Sequence, residues 1–448
     1  MTIDISRKYA GLAGICIASF LGCIDLTVVN TVLPAIGKEF AAPLRDTQWI
    51  TSAFMIALSA FMVPAGGVAD KYGRKRVLLT GLALFGAASL IVGVTTHFAI
   101  LVLFRFVQGI GCAILYTVSG AIITYLFNDS ERGKVLGILF AVNGLGLAVG
   151  PVIGGLFSGL LDWRYAFLIN IPFILISLWL CARYLPEQKS VQARGLDIPG
   201  CLLLIGALIS LVSYFSLELS PGNGRYLLLA AVLLSLLFIF HELKTPQPIV
   251  EFHFFRKRTF IAALAATFSL AFYYCAVLLS LPLFLANVSA LNDLQIGLLL
   301  LPATVTFALV SAWVGNSSER IGPQKLIICG LLLFILSGAC LAPAMASHRV
   351  WLLIIPLLFF GAGWGAILGP STLVALRALP DDRAAVAMGT SWTVHNIGGA
   401  CGIAFAVSVI GDGAHGDSGY RMLMYLLAVL AGAVAGICLL LGRKMPLR

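Results

Sequence analysis

The sequence predicts an all-α membrane protein with about fourteen transmembrane helices, and three observations carry this prediction. First, the 448 residues are 60% hydrophobic and only 11% charged, with a mean hydropathy of +1.01, whereas soluble domains are about 25% charged. Second, apolar runs of about 18–25 residues, the length that a bilayer requires, recur along the whole chain. Third, basic residues cluster between alternate runs. Lipid must therefore solvate most of these side chains.

The predicted spans lie wherever the chain stays apolar over membrane length. In chain order they cover residues 10–33, 48–69, 77–96, 98–126, 134–160, 164–184, 198–218, 226–243, 259–287, 294–316, 325–346, 351–376, 385–410 and 420–441.

The distribution of Lys and Arg predicts the orientation of these spans. With the N-terminus inside, all but seven of the basic residues fall in cytoplasmic segments, as the positive-inside rule demands. The prediction is a multi-pass protein of the inner membrane with both termini cytoplasmic. The seven exceptions are Arg105, which lies within a span, and Lys38, Arg45, Arg164, Arg225, Arg349 and Arg421 in outer loops.

Several other classes of protein are disfavoured by the sequence. The net charge of +10 follows from the loop clusters, and no motif or soluble region for nucleic acid is present. The ten cysteines are scattered without a CxxC, so we interpret them as small hydrophobic residues and expect no metal site. The motifs GxxxxGK[ST], HExxH and GxSxG are missing, so we expect neither an enzyme nor a cofactor. The N-terminus leads directly into the first span and is interpreted as a retained helix.

Two loops resemble each other and indicate an internal repeat. Residues 66–76, GGVADKYGRKR, align with residues 315–325, GNSSERIGPQK, so that Gly66-x-x-x-Asp70-Lys71-x-Gly73 matches Gly315-x-x-x-Glu319-Arg320-x-Gly322. Two repeated halves with a substrate path between them are a common plan of transporters. We therefore predict a six-helix bundle in residues 1–188, two additional helices in 189–250 and a second six-helix bundle in 251–448.

Asp25 and Arg105 are charged residues within predicted spans. A charge at membrane depth costs about 2.5–3.5 kcal/mol on insertion scales, so it is a candidate functional group. Asp25 is the candidate for carrying a proton or meeting a cation; alternatively, it is a structural carboxylate bonded to Thr27 or Asn30. Arg105 is the only basic residue well inside a span, and its alternative role is a bridge to backbone carbonyls. Gln108 shares its helix face.

Other polar or aromatic residues within spans are candidates for lining a substrate cavity, although Trp and Tyr also anchor helices at membrane interfaces. His395 could titrate near neutral pH, but a lone His between Thr393 and Asn396 is also typical of a hydrogen-bonded helix contact. The cavity candidates are Asn30, Gln108, Tyr116, Asn143, Tyr273, Tyr274, Trp392, His395 and Asn396.

One predicted helix carries repeated glycines. Small residues let membrane helices approach closely, and Pro151 removes a backbone hydrogen bond and favours a kink. Packing alone would be sufficient to explain this pattern. The helix-packing candidates are Gly146, Gly150, Pro151, Gly154 and Gly155.

Seven motifs in order resemble the major facilitator superfamily, and more narrowly its fourteen-helix drug:proton antiporter branch. The resemblance covers nearly the whole chain. His395-Asn396 departs from the Arg-Gln pair that the family often carries, which leaves the substrate open. The motifs are Asp25 to Pro34, Gln48-Trp49-Ile-Thr-Ser-Ala-Phe, Gly66 to Arg76, Leu101-x-x-x-Arg105-x-x-Gln108-Gly109-x-Gly111-x-Ala113, the set of Gly137, Gly146, Gly150-Pro151 and Gly154-Gly155, Trp163 to Pro172, and Arg194-Gly-Leu-Asp197-Ile-Pro-Gly200.

The resemblance implies alternating access, in which two bundles rock about a central site. It implies that Arg105 takes part in proton coupling, that protons and cationic substrate compete for Asp25, and that Asp70, with Gly73 and Arg74, forms a gate. The implied function is proton-coupled export of small amphipathic molecules such as drugs. Alternatives are export of a self-made metabolite such as a siderophore, or proton-coupled import. The predicted partners are a small-molecule substrate, protons and the lipid bilayer, and the predicted state is a monomer.

Overall fold

In the computed structural model of the chain, every regular element within the described residues is a helix. The described residues are 5–42, 44–187, 197–216, 221–246, 248, 250, 252–287, 293–347, 349–380, 383–410 and 417–442.

Nine α-helices lie between residues 5 and 244 in the described part of the chain. Their bounds are α1 Ile5–Glu39, α2 Leu44–Tyr72, α3 Arg74–Val94, α4 Phe98–Leu126, α5 Asp129–Leu160, α6 Tyr165–Leu168, α7 Asn170–Tyr184, α8 Ile198–Ser216 and α9 Pro221–Lys244.

Within the described residues from 252 to 442, six further α-helices and two short 3₁₀ helices follow. Their bounds are η1 Phe252–Arg256, α10 Arg258–Asn287, α11 Asp293–Ile321, α12 Pro323–Ala346, η2 Val350–Leu353, α13 Ile354–Ala378, α14 Ala384–Ile410 and α15 Asp417–Gly442.

Thirteen stretches of the described chain are long and apolar enough to cross a membrane. Each coincides with one of the predicted spans, which confirms a multi-pass, all-helical membrane protein. The remaining predicted span, 198–218, coincides with α8, whose described apolar stretch Ile198–Leu211 is shorter than a membrane span. The predicted span 164–184 is divided into α6 and α7.

The chain forms two compact units. Unit 1 comprises Met1–Asn128, Gly146–Phe252 and Leu379–Thr393, and unit 2 comprises the rest of the chain. Two helices, α5 and α14, contribute one part to each unit. The predicted division into residues 1–188, 189–250 and 251–448 stays a prediction.

Each unit is held together by helix pairs that meet at small residues. In unit 1, α3 packs against α4, and a Cβ built on Gly111 would lie 3.1 Å from the Gly81 carbonyl oxygen. In unit 2, α12 packs against α13, and a Cβ built on Gly330 would lie 2.9 Å from the Gly363 carbonyl oxygen. Because the missing side chains let the two backbones approach, van der Waals contact between the helices is extensive. Each unit therefore contains the same kind of helix crossing.

The repeated loops adopt the same backbone conformation. Gly73, between α2 and α3, has φ 106° and ψ 128°, and Gly322, between α11 and α12, has φ 91° and ψ 130°. Residues with a Cβ rarely adopt this region, whereas glycine enters it at little cost. This explains why glycine stands at the equivalent position of both loops and supports the interpretation of the two sequences as a repeat.

Candidate functional site

A fully buried cluster of charged and polar side chains lies within unit 1. The Arg105 guanidinium on α4 donates through Nη1 to the Asp25 carboxylate on α1 and forms an ion pair with it. Both side chains are at most 1% exposed. The acid and the base that the sequence places well inside spans are therefore partners. Asp25 does not bond to Thr27, whose hydroxyl donates to backbone carbonyls of α1 instead.

Gln108 connects this ion pair to two further helices. Its Oε1 accepts from Arg105 Nη1 at 2.7 Å, and its Nε2 donates to Asp25 Oδ1 at 3.0 Å and to Ser89 Oγ at 2.7 Å. Asn170 Nδ2 donates to the same Ser89 hydroxyl at 3.3 Å. The cluster thus joins α1, α3, α4 and α7, and Gln108, a predicted cavity residue, is fully buried within it.

The Arg105 side chain is also held by α2 and by aromatic rings. Its Nε donates to the Ile50 carbonyl oxygen at 3.1 Å. Its guanidinium carbon lies 4.3 Å from the centre of the Phe54 ring and 5.6 Å from that of Phe167. Ring faces attract cations, especially where water is excluded. The proposed bridge to a backbone carbonyl therefore exists together with the ion pair.

The local sequence explains how the cluster forms. Arg105 and Gln108 are three residues apart on α4, so their side chains lie on the same helix face. Gly109 follows them, and α2 approaches so closely there that a Cβ would clash with the Phe54 carbonyl oxygen. The close approach of α2 lets Arg105 reach Ile50. Chemically, the cluster places one carboxylate that can take up a proton beside one permanent cation.

Tyr116 lies about two helical turns beyond Gln108 on α4. Its hydroxyl lies 3.1 Å from Cys23 Sγ. Its ring stacks on Trp392 of α14, with ring centres 5.4 Å apart and an angle of 19° between the planes. Tyr116 is buried, whereas Trp392 is half-buried. These two predicted cavity residues therefore form one aromatic pair within unit 1.

A second group of predicted residues meets within unit 2. His395 Nδ1 lies 3.2 Å from Thr267 Oγ1, and its Nε2 lies 3.3 Å from the Tyr274 hydroxyl. Tyr274 in turn stacks on Trp364, with ring centres 4.4 Å apart. His395 is 4% exposed, and both of its ring nitrogens lie within hydrogen-bond distance of side chains of α10.

Tyr273 lies in the core of unit 2, apart from the group around His395. Its hydroxyl donates to the Phe334 carbonyl oxygen at 2.8 Å, and its ring stacks on that of Phe334 at 4.2 Å. These contacts satisfy both the hydroxyl and the ring of Tyr273 within the protein, so its burial is explained without a bound substrate. Asn143 is buried on the α5 segment of unit 2, Asn396 is half-buried on α14, and the side chain of Asn30 lies outside the described residues.

The predicted gate residues lie together at the end of α2. Arg74 forms an ion pair with Asp70 at 3.0 Å and donates to the Ala121 carbonyl oxygen at 3.0 Å. The Asp70 side chain faces the first turn of α14, near the Val386 backbone N–H, and both charged residues are buried. Gly66, one turn earlier, abuts α14 so closely that a Cβ would lie 2.5 Å from a carbonyl oxygen. Gly73 provides the turn that follows.

The glycines of α5 differ in what they contact. A Cβ on Gly146 would lie 2.9 Å from the Phe20 carbonyl oxygen of α1, and Gly150 and Gly154 also lie against α1. These three explain how α5 and α1 approach. Gly155 is exposed, and a Cβ there would meet no atom within 4 Å, so close packing does not explain it. The side chain of Pro151 lies outside the described residues.

Three residues of these groups, Ser89, Asn170 and Trp364, were not among the candidates that the sequence indicated. Ser89 joins Gln108 to Asn170 in unit 1, and Trp364 stacks on Tyr274 in unit 2. The available signal was a polar or indole group within an otherwise apolar run, the same signal that selected Tyr116 and Trp392. Within the described residues, no group of three or more His, Cys, Asp or Glu side chains could hold a metal.

Comparison with known proteins gives a consistent result. Residues 15–403 match the sequence profile of the Major Facilitator Superfamily. Multidrug resistance protein Stp of Mycobacterium tuberculosis is 31% identical over 399 residues, which cover 87% of this chain and 74% of Stp. Riboflavin transporter RibZ of Clostridioides difficile is 28% identical over 403 residues, which cover 90% of this chain and 88% of RibZ.

Solved structures match the fold over almost the full length. The proton:xylose symporter XylE superposes with a TM-score of 0.73 over 98% of this chain and 96% of XylE, at 15% identity. The human organic anion transporter MFSD10 superposes with a TM-score of 0.70 over 96% of this chain and 99% of MFSD10, also at 15% identity. At this identity the likeness extends to the fold alone.

Proposed function

The chain belongs to the Major Facilitator Superfamily, a family of transporters that are not enzymes, and we propose that it exports small amphipathic molecules, such as drugs, in exchange for protons. The observation that carries this proposal is the buried ion pair of Asp25 and Arg105. We place the chain in the fourteen-helix drug:proton antiporter branch, with α8 as the additional span that completes the count.

The ion pair supports proton coupling through its charge balance. When the Asp25 carboxylate takes up a proton, the Arg105 guanidinium keeps its charge and loses its counterion in a water-free environment. An uncompensated buried charge is strongly destabilising, so the cluster has to rearrange or find another anion. Asp25 and Arg105 lie on different helices of unit 1, and the rearrangement would therefore shift α1 relative to α4. In this proposal the shift drives alternating access.

The names of the relatives support export of drugs. Stp is named a multidrug resistance protein, and a drug efflux pump, JefA, and a multidrug transporter, MdtP, are 28% and 27% identical to the chain. The similarity to RibZ, named a riboflavin transporter, favours a second candidate, transport of a single metabolite. Export of a siderophore and proton-coupled import are further forms of that alternative.

The remaining residues take the following proposed roles. The Tyr116–Trp392 pair and the group around His395 would contact the substrate through aromatic faces, which suit flat amphipathic molecules. Asp70, Arg74 and Gly73 would hold one conformation closed. We further propose that the protein is a monomer of the inner membrane with both termini cytoplasmic, which is the orientation that the basic loops favour.

A transport assay in proteoliposomes tests this function. Purified protein is reconstituted with a pH-sensitive dye inside the vesicles, and a panel of drugs and metabolites, including riboflavin, is added. We expect drugs to cause proton movement in the wild type and none in the Asp25→Asn variant. Asp46→Asn is the matched control, because Asp46 is an exposed carboxylate at the start of α2, and it should transport at the wild-type rate.

Three results would overturn parts of the proposal. Transport that persists after an ionophore collapses the proton gradient would refute proton coupling. Wild-type transport by Asp25→Asn would refute the role of the ion pair. A response to riboflavin alone, or uptake in intact cells without accumulation in inverted vesicles, would favour the second candidate.

A further inference from the structure

The motif around Asp197 ties α8 to α9 and is not used by the proposed transport cycle. Asp197 precedes α8, and its Oδ1 accepts from the Gly200 backbone N–H at 3.0 Å, as an N-cap residue does. Both carboxylate oxygens also lie 2.9 Å from His241 Nε2 on α9. Thr245 adds a contact of 3.2 Å to the same nitrogen. The ends of the two helices are therefore fixed to each other.

A groove of about 490 Å³ opens beside this tie on the surface of unit 1. Its walls are apolar and include Leu203 of α8 and Leu237 and Phe240 of α9. Its polar end consists of His241, Lys244 and Thr245. The groove thus has a long apolar part and one cationic end.

The groove lies on a face that is directed outward along the membrane-spanning part of α9. Only 17% of the most apolar window of this helix is buried, the smallest share among the thirteen spans. Leu237 and Phe240 are 45% and 59% exposed. Because exposed apolar side chains within a span contact lipid, the walls of the groove are available to an acyl chain.

The charges at the polar end select the headgroup. Lys244 is exposed, its Nζ lies 3.9 Å from the centre of the Phe240 ring, and no carboxylate in the described part of the chain lies within ion-pair distance of it. The Asp197 side chain is 5% exposed behind His241. The neighbouring Glu242 is buried and accepts from the Val250 backbone N–H at 3.2 Å. The Thr245 hydroxyl already donates to the His241 carbonyl oxygen at 2.9 Å. The groove therefore presents one cation, Lys244, and covers its acids.

We propose that this groove binds one anionic phospholipid, with the phosphate at Lys244 and an acyl chain along Leu237 and Leu203. A soluble phosphate would use only the polar end, whereas a lipid uses both parts of the groove. Basic residues beside membrane helices attract anionic headgroups, and the fixed end of α9 holds Lys244 at a defined depth. The site joins the two helices and would stabilise their pairing.

Native mass spectrometry of the full-length protein in detergent tests the site. The protein is titrated with phosphatidylglycerol, with phosphatidylcholine of the same acyl chains, and with glycerol 3-phosphate. We expect one phosphatidylglycerol per chain, at least fivefold more than phosphatidylcholine at equal concentration, and no displacement by glycerol 3-phosphate. Lys244→Ala should lower phosphatidylglycerol binding at least fivefold and leave phosphatidylcholine binding unchanged.

Two further variants make the outcome decisive. Lys325→Ala removes an exposed lysine at the start of α12, outside the groove, and should bind like the wild type. Leu203→Trp fills the apolar part and should reduce binding of both lipids. The proposal would be overturned by equal binding of the two lipids, by undiminished binding to Lys244→Ala, or by displacement with glycerol 3-phosphate. A mass of two chains in place of one chain with its lipid would also overturn it.

Discussion

The carboxylate of Asp25 and the guanidinium of Arg105 form an ion pair in which the two side chains are 0% and 1% exposed. Removing two charges from water is costly, and their attraction compensates only when the remaining hydrogen-bonding groups are satisfied. Gln108 and the Ile50 carbonyl oxygen supply those bonds here. Neither charge can therefore change without destabilising the other, and this is the physical link between proton uptake and movement of the helices.

We predict that the two charges stabilise the fold only as a pair. Asp25→Asn and Arg105→Gln should each lower the free energy of unfolding by about 3–5 kcal/mol, because each leaves one uncompensated buried charge. The double variant leaves two neutral amides that can bond to each other. Its loss of unfolding free energy should therefore be less than half of the sum of the two single losses. Thermal and denaturant unfolding in detergent measure the three variants against the wild type. Strictly additive losses in the double variant would contradict coupling between the two residues.

The sequence predicted each member of this pair but not their contact. A charge within an apolar run is visible from its cost alone, so Asp25 and Arg105 could both be selected. They are 80 residues apart, and hydropathy does not fix how each helix is rotated about its axis. Ser89 was missed for the same reason, because a serine in a span is common and becomes informative only beside Gln108.

The helices and the repeat could be predicted because strong physical constraints act on them. Bilayer thickness sets the length of each span, and the loop glycines at 73 and 322 mark a conformation that other residues rarely adopt. The partition of α5 and α14 between the two units could not be predicted. Apolar patterning identifies a helix as membrane-embedded, but it does not say which neighbour each part contacts.

We predict that Gly322→Ala destabilises unit 2 through the backbone alone. Gly322 has φ 91°, and a Cβ there would meet no atom within 4 Å, so strain of about 1–3 kcal/mol is the only expected effect. Gly436→Ala is the matched control, since that position is helical and equally open. Alanine there should raise the free energy of unfolding by about 0.5–1 kcal/mol. Unfolding in detergent should therefore shift in opposite directions for the two variants. A shift of the same sign in both would argue against backbone strain at Gly322.

We predict that two glycines of α5 respond differently to the same substitution. A Cβ on Gly146 would lie 2.9 Å from the Phe20 carbonyl oxygen and 3.0 Å from Cys23 Cβ, so Gly146→Ala should cost about 1–3 kcal/mol by overpacking. Gly155→Ala places its methyl group where no atom lies within 4 Å and should be neutral or stabilising. Thermal stability of the purified variants measures the difference. Equal tolerance of both would contradict the close packing of α5 on α1.

Glu39 lies at the end of α1 beyond the first membrane span, and its carboxylate binds two side chains that follow α5. Arg164 donates to its two oxygens at 2.8 and 2.6 Å, and Trp163 Nε1 donates at 2.7 Å. These hydrogen bonds, first from Arg164 and then from Trp163, lower the pKa of Glu39 below its ordinary value of 4.5. Because the folded pKa is depressed, the bonds stabilise the protein above pH 4.5, and the effect is lost as the pH falls through the lowered pKa.

Glu39→Gln should therefore lower the free energy of unfolding at neutral pH by a few tenths to about 1 kcal/mol, the range for exposed ion pairs. The difference from the wild type should disappear at a pH below the lowered pKa, where the Glu39 carboxyl is also neutral. Denaturant unfolding at a series of pH values, followed by tryptophan fluorescence, measures this profile. In an Arg164→Gln background the same substitution should have a smaller effect and a flatter pH profile. A deficit that persists unchanged into the acid range would show that Glu39 stabilises the helix end through packing instead of through its charge.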